Sequence, residues 1–165
     1  MSHLGQDAHA HLERCVALAA EAFEAGDGPF GSVLVSADGT VLAEERNREH
    51  SDRDPTAHPE LALVRWALTR LDAGERAGAV VYTSGEHCPM CAAAHGWAGL
   101  GPIVYAASAS QLAAWRASWG LPGSPVAVLA ADAVAVDVPV AGPVPPYDDR
   151  MRELHRRAAE RTGAR

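Results

Sequence analysis

Two short segments hold the side chains best suited to chemistry. In Thr83-Ser84-Gly85-Glu86-His87-Cys88-Pro89-Met90-Cys91, two cysteines stand in Cys-x-x-Cys spacing, and in Pro55-Thr56-Ala57-His58-Pro59-Glu60 a histidine and a glutamate stand in His-x-Glu spacing. A Cys-x-x-Cys pair entering a helix puts both sulfurs on one turn. Nearby unpaired backbone N–H groups carry partial positive charge and favour thiolate over thiol. Two thiolates do not close a tetrahedral zinc site, so further ligands must come from elsewhere, and His58 is the best candidate. With His58, Cys88 and Cys91 on one zinc ion (Zn2+), the fourth position stays open for a water whose pKa falls from ~15.7 to roughly 7. Glu60 can approach that water without being a ligand, as a general acid/base worth typically ~10²–10⁴-fold in rate.

A non-enzymatic alternative uses the same residues. A structural zinc clip would join strand to helix and catalyse nothing, with His87, His95 or Cys15 as fourth ligand and Glu60 idle.

The elements that must position these groups follow from composition and periodicity. At 165 residues and 48% hydrophobic, the chain suits a single domain over 1–165 with a core of its own. A net charge of −7 argues against binding nucleic acid by bulk electrostatics. All 14 cationic residues are arginine, which excludes Schiff-base and phosphate-loop lysine chemistry. Three cysteines, two of them in metal spacing, fit a reducing cytoplasm, and Cys15 reads as a small buried thiol. The sequence shows neither a signal peptide nor a membrane-spanning run.

Leu12, Val16, Ala19 and Phe23 set a helical period over Ala8 to Ala25. Phe30 to Ser36 and Val41 to Glu45 read as a hairpin. A helix follows from Pro59 to Leu71, which Asp72 to Arg76 closes. Then come a strand over Ala79 to Thr83, a helix over Pro89 to Ala98, a strand over Ile103 to Ala107 and a helix over Gln111 to Trp119. Val126 to Ala130 reads as the last strand. Val138 to Pro146 is a proline-rich connector, and 148–161 a C-terminal helix, acid first and arginine last. Strands alternating with helices predict a mixed sheet covered on both faces.

The two motifs, in this order, resemble those of the cytidine deaminase superfamily. Further likeness runs over Gly28-Pro29-Phe30-Gly31, the hairpin, Asn47, Asp54 to His58 and Trp97, or roughly residues 8 to 107. Within that superfamily the chain looks most like bacterial guanine deaminases. The resemblance implies an α/β fold, a three-layer α/β/α sandwich around a five-stranded mixed sheet. It implies zinc on His58, Cys88 and Cys91, and proton shuttling by Glu60. Substrate contact is implied for Asn47 and Ala57, with Phe30 and Trp97 as apolar or stacking walls. Glu86 either binds substrate amino or ring N–H groups or orients the loop. The implied activity is hydrolytic deamination of a free purine base, guanine first, by a homodimer that takes a small heterocycle and neither nucleic acid nor membrane.

Other substrates stay open. A tRNA adenosine deaminase shares the zinc motif and would use Arg150, Arg152, Arg156, Arg157 and Arg161 against phosphate, although Asp148, Asp149, Glu153 and Glu160 interleave with them. Cytosine or nucleoside deamination needs only a different pocket. The sequence also departs from the family pattern. Pro59 replaces the usual alanine, His87 replaces the usual proline, and no acidic pocket residue is evident over Gln111 to Gly120. Trp115 and Trp119 fit the core at helical spacing, or cap the pocket.

Overall fold

The computed structural model describes residues 6–163. The apolar stripe of α1 (Gln6–Glu24) places Leu12, Val16, Ala19 and Phe23 against one face of the sheet. The hairpin forms as β1 (Gly31–Val35) and β2 (Val41–Arg46), antiparallel, turning through Ala37 to Thr40. Then follow α2 (Pro59–Arg70), α3 (Ala73–Gly78), β3 (Val80–Gly85), α4 (Pro89–Ala98), β4 (Ile103–Ala107) and α5 (Ala109–Ser118). The chain closes with α6 (Ala131–Val134), β5 (Val140–Ala141) and α7 (Tyr147–Gly163).

The five strands lie in the order β2-β1-β3-β4-β5. β1 is antiparallel to both neighbours, whereas β3, β4 and β5 run parallel. Helices α1 and α7 cover one face, where Val104 and Ala106 meet Met151 and Leu154. Helices α2 and α4 cover the other, where Leu34 and Val81 meet Leu63, Val64 and Ala98. This is the expected three-layer α/β/α arrangement. Strands β1 and β4 are buried throughout, as strands covered on both faces must be, while the edge strand β2 has no fully buried residue and ends in the polar run Glu44-Glu45-Arg46. Gly31 opens β1 because α1 crosses directly above it: a Cβ there would lie 2.4 Å from Leu18 Cβ and 2.6 Å from the Cys15 carbonyl.

Two elements differ from the sequence reading. Asp72 to Arg76 does not simply end α2. Asp72 accepts from the Glu75 backbone N–H, and the Glu75 carboxylate accepts from that of Asp72, so a capping box starts a separate helix. The fifth strand is not at Val126 to Ala130, which is exposed loop; it is the two-residue β5 inside the proline-rich connector, where Val140 pairs with Ile103. Proline is tolerated there because β5 lies at the sheet edge. Among the described residues, no helix is long and apolar enough to cross a membrane.

Candidate metal and catalytic site

Helices α2 and α4 begin alike. Each has proline at its first position, where the missing N–H would have no partner in any case, and each carries a site residue as N-cap: His58 for α2 and Cys88 for α4. Neither side chain caps its own helix, so both are free to point elsewhere. Pro59 thus keeps α2 intact. Two positive helix ends converge on one spot, with Glu60 and Cys91 in their first turns.

The convergence brings the predicted ligands together. His58 Nδ1 lies 3.6 Å from Cys88 Sγ and 3.5 Å from Cys91 Sγ. The three ligand atoms lie within 4.8 Å of one another, and among the described residues no fourth His, Cys, Asp or Glu joins them. An imidazole nitrogen and two sulfurs at this spacing fit zinc with one position open. Beside the thiol of Cys91 and the His58 ring, Cys88 is lowered to about 4, while Cys91, sharing its proton with Cys88 and buried, is pushed up. His58 is raised to about 10 by Cys88 and then by Glu49, whose Oε1 stands 3.4 Å from Nε2. Metal binding needs deprotonated ligands, so a divalent cation here would displace the protons that His58 and Cys91 hold more tightly than usual.

Glu60 lies beside the cluster at 5% exposure. Its Oε2 is 3.8 Å from Cys91 Sγ, and its Oε1 accepts from the Thr83 hydroxyl at 3.0 Å. Ser32, opposite Thr83 in the β1/β3 register, donates to Thr83 Oγ1 at 2.9 Å. Burial raises the Glu60 carboxyl above its ordinary value, against the pull of its own backbone N–H, His58 and Thr83. Nothing in the sequence motif singled out Thr83 or Ser32; only the antiparallel pairing of β1 with β3 would have found them.

The cluster floors a cavity of about 270 Å³ at the ends of β3 and β4, where α4 and α5 depart. His58, Glu60, Cys88 and Phe30 line it, and α5 and residues 121–129 supply a mostly apolar outer wall. Phe30 rests on Gly85, where a Cβ would approach its ring to 3.2 Å.

The structure places the four expected substrate contacts as follows. Trp97 is 92% exposed on the far side of α4 and is not in the cavity wall. Asn47 is buried, and its amide is held within its loop: Nδ2 donates to Glu49 at 2.8 Å and Oδ1 accepts the Glu49 backbone N–H at 3.0 Å, which leaves a second N–H on Nδ2. Ala57 also lies off the wall, its carbonyl accepting from Arg48. Glu86 does line the cavity, but its two oxygens accept the backbone N–H groups of Ala109 and Ala131 at 2.8 and 2.9 Å. These bonds tie the cysteine loop to the starts of α5 and α6. His87 is 1% exposed, packed edge-on against His95 at 5.1 Å, and is not among the clustered ligands. Trp115 packs against the core formed by α1, β4 and α7.

Comparison with known proteins agrees with this geometry. The family model for the cytidine and deoxycytidylate deaminase zinc-binding region matches residues 6–107. Guanine deaminase of Bacillus subtilis is 43% identical over 103 residues, 62% of this chain and 65% of that protein. The tRNA-specific adenosine deaminase of Agrobacterium fabrum is 38% identical over 96 residues, 58% of this chain and 62% of that one. The match thus spans less than two thirds of either relative. The structure of guanine deaminase from Nitrosomonas europaea superposes with a TM-score of 0.71 at 20% identity, covering 94% of this chain and 85% of that one, a likeness of fold.

Proposed function

From its membership of the cytidine and deoxycytidylate deaminase family, we propose that this chain is a zinc-dependent aminohydrolase that deaminates a small amino-heterocycle, with guanine the first candidate. The observation that carries this reading is the three-ligand cluster with a non-ligating buried carboxylate beside it at the floor of a cavity. A structural clip needs a fourth protein ligand, and the cluster has none among the described residues. Zinc held by His58, Cys88 and Cys91 would supply a water acidic enough to attack carbon at neutral pH.

The rest is done by the chain. Glu60 takes one proton of the attacking water as the C–O bond forms at the carbon bearing the exocyclic amine and gives it to the ring nitrogen; it then takes the proton of the new hydroxyl and gives it to the departing amine, leaving a C=O bond. The C–N bond breaks and ammonia leaves. A carboxyl raised by burial is suited to both directions of transfer. The Thr83 hydroxyl holds Oε1, so that Oε2 stays turned toward the cluster. Phe30 offers an aromatic face for the ring.

The likeness to the Bacillus guanine deaminase supports a free base. A tRNA substrate is less well supported, because Arg150 and Arg157 pair with Glu13 and Glu24, Arg156 with Glu153 and Glu160, and Arg161 lies over Phe23. The test is ammonia release by zinc-loaded protein from guanine, guanosine, adenine, cytosine, cytidine, pterins, triazines and a tRNA anticodon stem. Turnover of a free heterocycle is expected; turnover of the tRNA alone would refute the substrate class.

A further inference from the structure

The family match stops at residue 107, yet much of the cavity lies beyond it, in Ser108 to Leu129 and in one residue of the C-terminal helix, His155. At the cavity the stretch from 108 to 129 is mostly apolar, with Ser108, Arg116 and Ser124 as its polar side chains. His155 adds an imidazole. It is 8% exposed, and it lines both the cavity above the His58, Cys88 and Cys91 cluster and a second one of about 330 Å³. Its ring meets Phe30 edge-on, with centroids 5.0 Å apart. Among the described residues no side chain or backbone group hydrogen-bonds its ring nitrogens. Of the other buried histidine rings, His95 donates from Nε2 to the Gly101 carbonyl, and His87 faces His95 with both ring nitrogens buried and unpartnered, but neither ring lines the cavity.

The His155 ring nitrogens are not sealed away from the cavities the ring lines, so a molecule bound there can reach them. We infer that His155 is a specificity-determining residue of this site, hydrogen-bonding an uncharged heteroaromatic ring through one imidazole nitrogen on an edge away from the amine that is lost. The assignment rests on the reading that the cavity takes an amino-heterocycle. Phe30, in edge contact with the same imidazole, holds it in place and supplies the apolar face for the ring it reads. Burial, then Arg116, lowers His155 to about 4, so at neutral pH it is a neutral imidazole with one N–H donor and one acceptor nitrogen. Either nitrogen can meet one complementary group on the edge of a purine or pterin, the N–H a ring nitrogen or carbonyl and the bare nitrogen a ring N–H or amine.

The test separates recognition from turnover. Binding of guanine, adenine, cytosine and pterin is measured by calorimetry on zinc-loaded Glu60→Gln protein, alone and combined with His155→Phe, His155→Leu or His155→Gln. For the tightest-binding ring, phenylalanine and leucine should each weaken affinity by roughly 10- to 100-fold, the loss expected when a buried hydrogen-bonding group goes unmet. Glutamine, which keeps a donor and an acceptor, should recover part of that loss, and zinc content should be equal throughout. Leucine guards against overpacking by phenylalanine. Equal affinity in the parent and the leucine variant, or no ring bound by the parent, overturns the assignment. Ammonia release by the unmodified chain is scored separately: its absence alongside His155-dependent binding would refute the deaminase reading and leave the recognition role standing.

Discussion

Replacing Glu60 by glutamine isolates the proton carrier with little change in shape. Oε1 accepts the Thr83 hydroxyl at 3.0 Å, and a glutamine carbonyl oxygen can accept the same bond. Glu60 is not one of the clustered ligand residues, so zinc should stay bound at one ion per chain. Burial already raises the Glu60 carboxyl, so a neutral side chain there should hold the thermal midpoint or lift it. What is lost is proton transfer. A positioned acid/base contributes ~10²–10⁴-fold, or about 2.7–5.4 kcal/mol of barrier at 1.36 kcal/mol per tenfold. Because the same carboxyl both takes the proton and gives it back, the upper half of that range is expected. Single-turnover ammonia release with saturating substrate measures the chemical step directly. A Glu60→Gln protein that keeps its zinc and turns over within tenfold of the parent would refute the assignment.

Other perturbations read different parts of the structure. Serine at Cys88 or Cys91 should cost most of the bound zinc in metal analysis after dialysis, since each supplies one of three ligand atoms lying within 4.8 Å. Gly85→Ala places a Cβ 3.2 Å from the Phe30 ring and should raise KM several-fold while zinc content holds. Asp27 accepts from Arg46, from the Ser51 hydroxyl and from the backbone of His50 and Ser51, fastening the loop that leads to His58. Burial pushes its carboxyl up, but those donors outweigh it and hold it below the ordinary 3.8. The stability it contributes is therefore present above that value and lost as pH falls through the lower folded-state value. Asp27→Asn should cost about 2 kcal/mol at pH 7, and chemical unfolding between pH 2 and 5 should show a flatter acid limb than the parent; an unchanged limb would count against this role.

The parts of the site that chemistry ties to sequence spacing could be read in advance. Cys88 and Cys91 must share one turn, and His58 and Glu60 must flank one helix start, so both motifs showed in the chain. The same holds for α1, α2, α4 and the hairpin, whose periodicities are long enough to be distinct. Features fixed by long-range contact could not be read. Glu86 stayed open between substrate and loop because the backbone groups it binds, at Ala109 and Ala131, come from other segments. Asn47, by contrast, bonds Glu49 two residues on, a local asparagine turn of the kind the sequence can signal. Val126 to Ala130 has strand-like composition, but its side chains border the cavity, while β5 hides among prolines because the sheet needs only two residues of edge pairing. His155 carried no local signal at all; α7 reveals it only by where it packs.

The Glu86 carboxylate has a consequence for how such a chain can diversify. One side chain on the cysteine loop tethers the starts of α5 and α6 through main-chain amides, which every residue except proline possesses. The stretch between those two anchor points can therefore be swapped like a cassette, altering which molecules are admitted, without redrawing the ion-binding end.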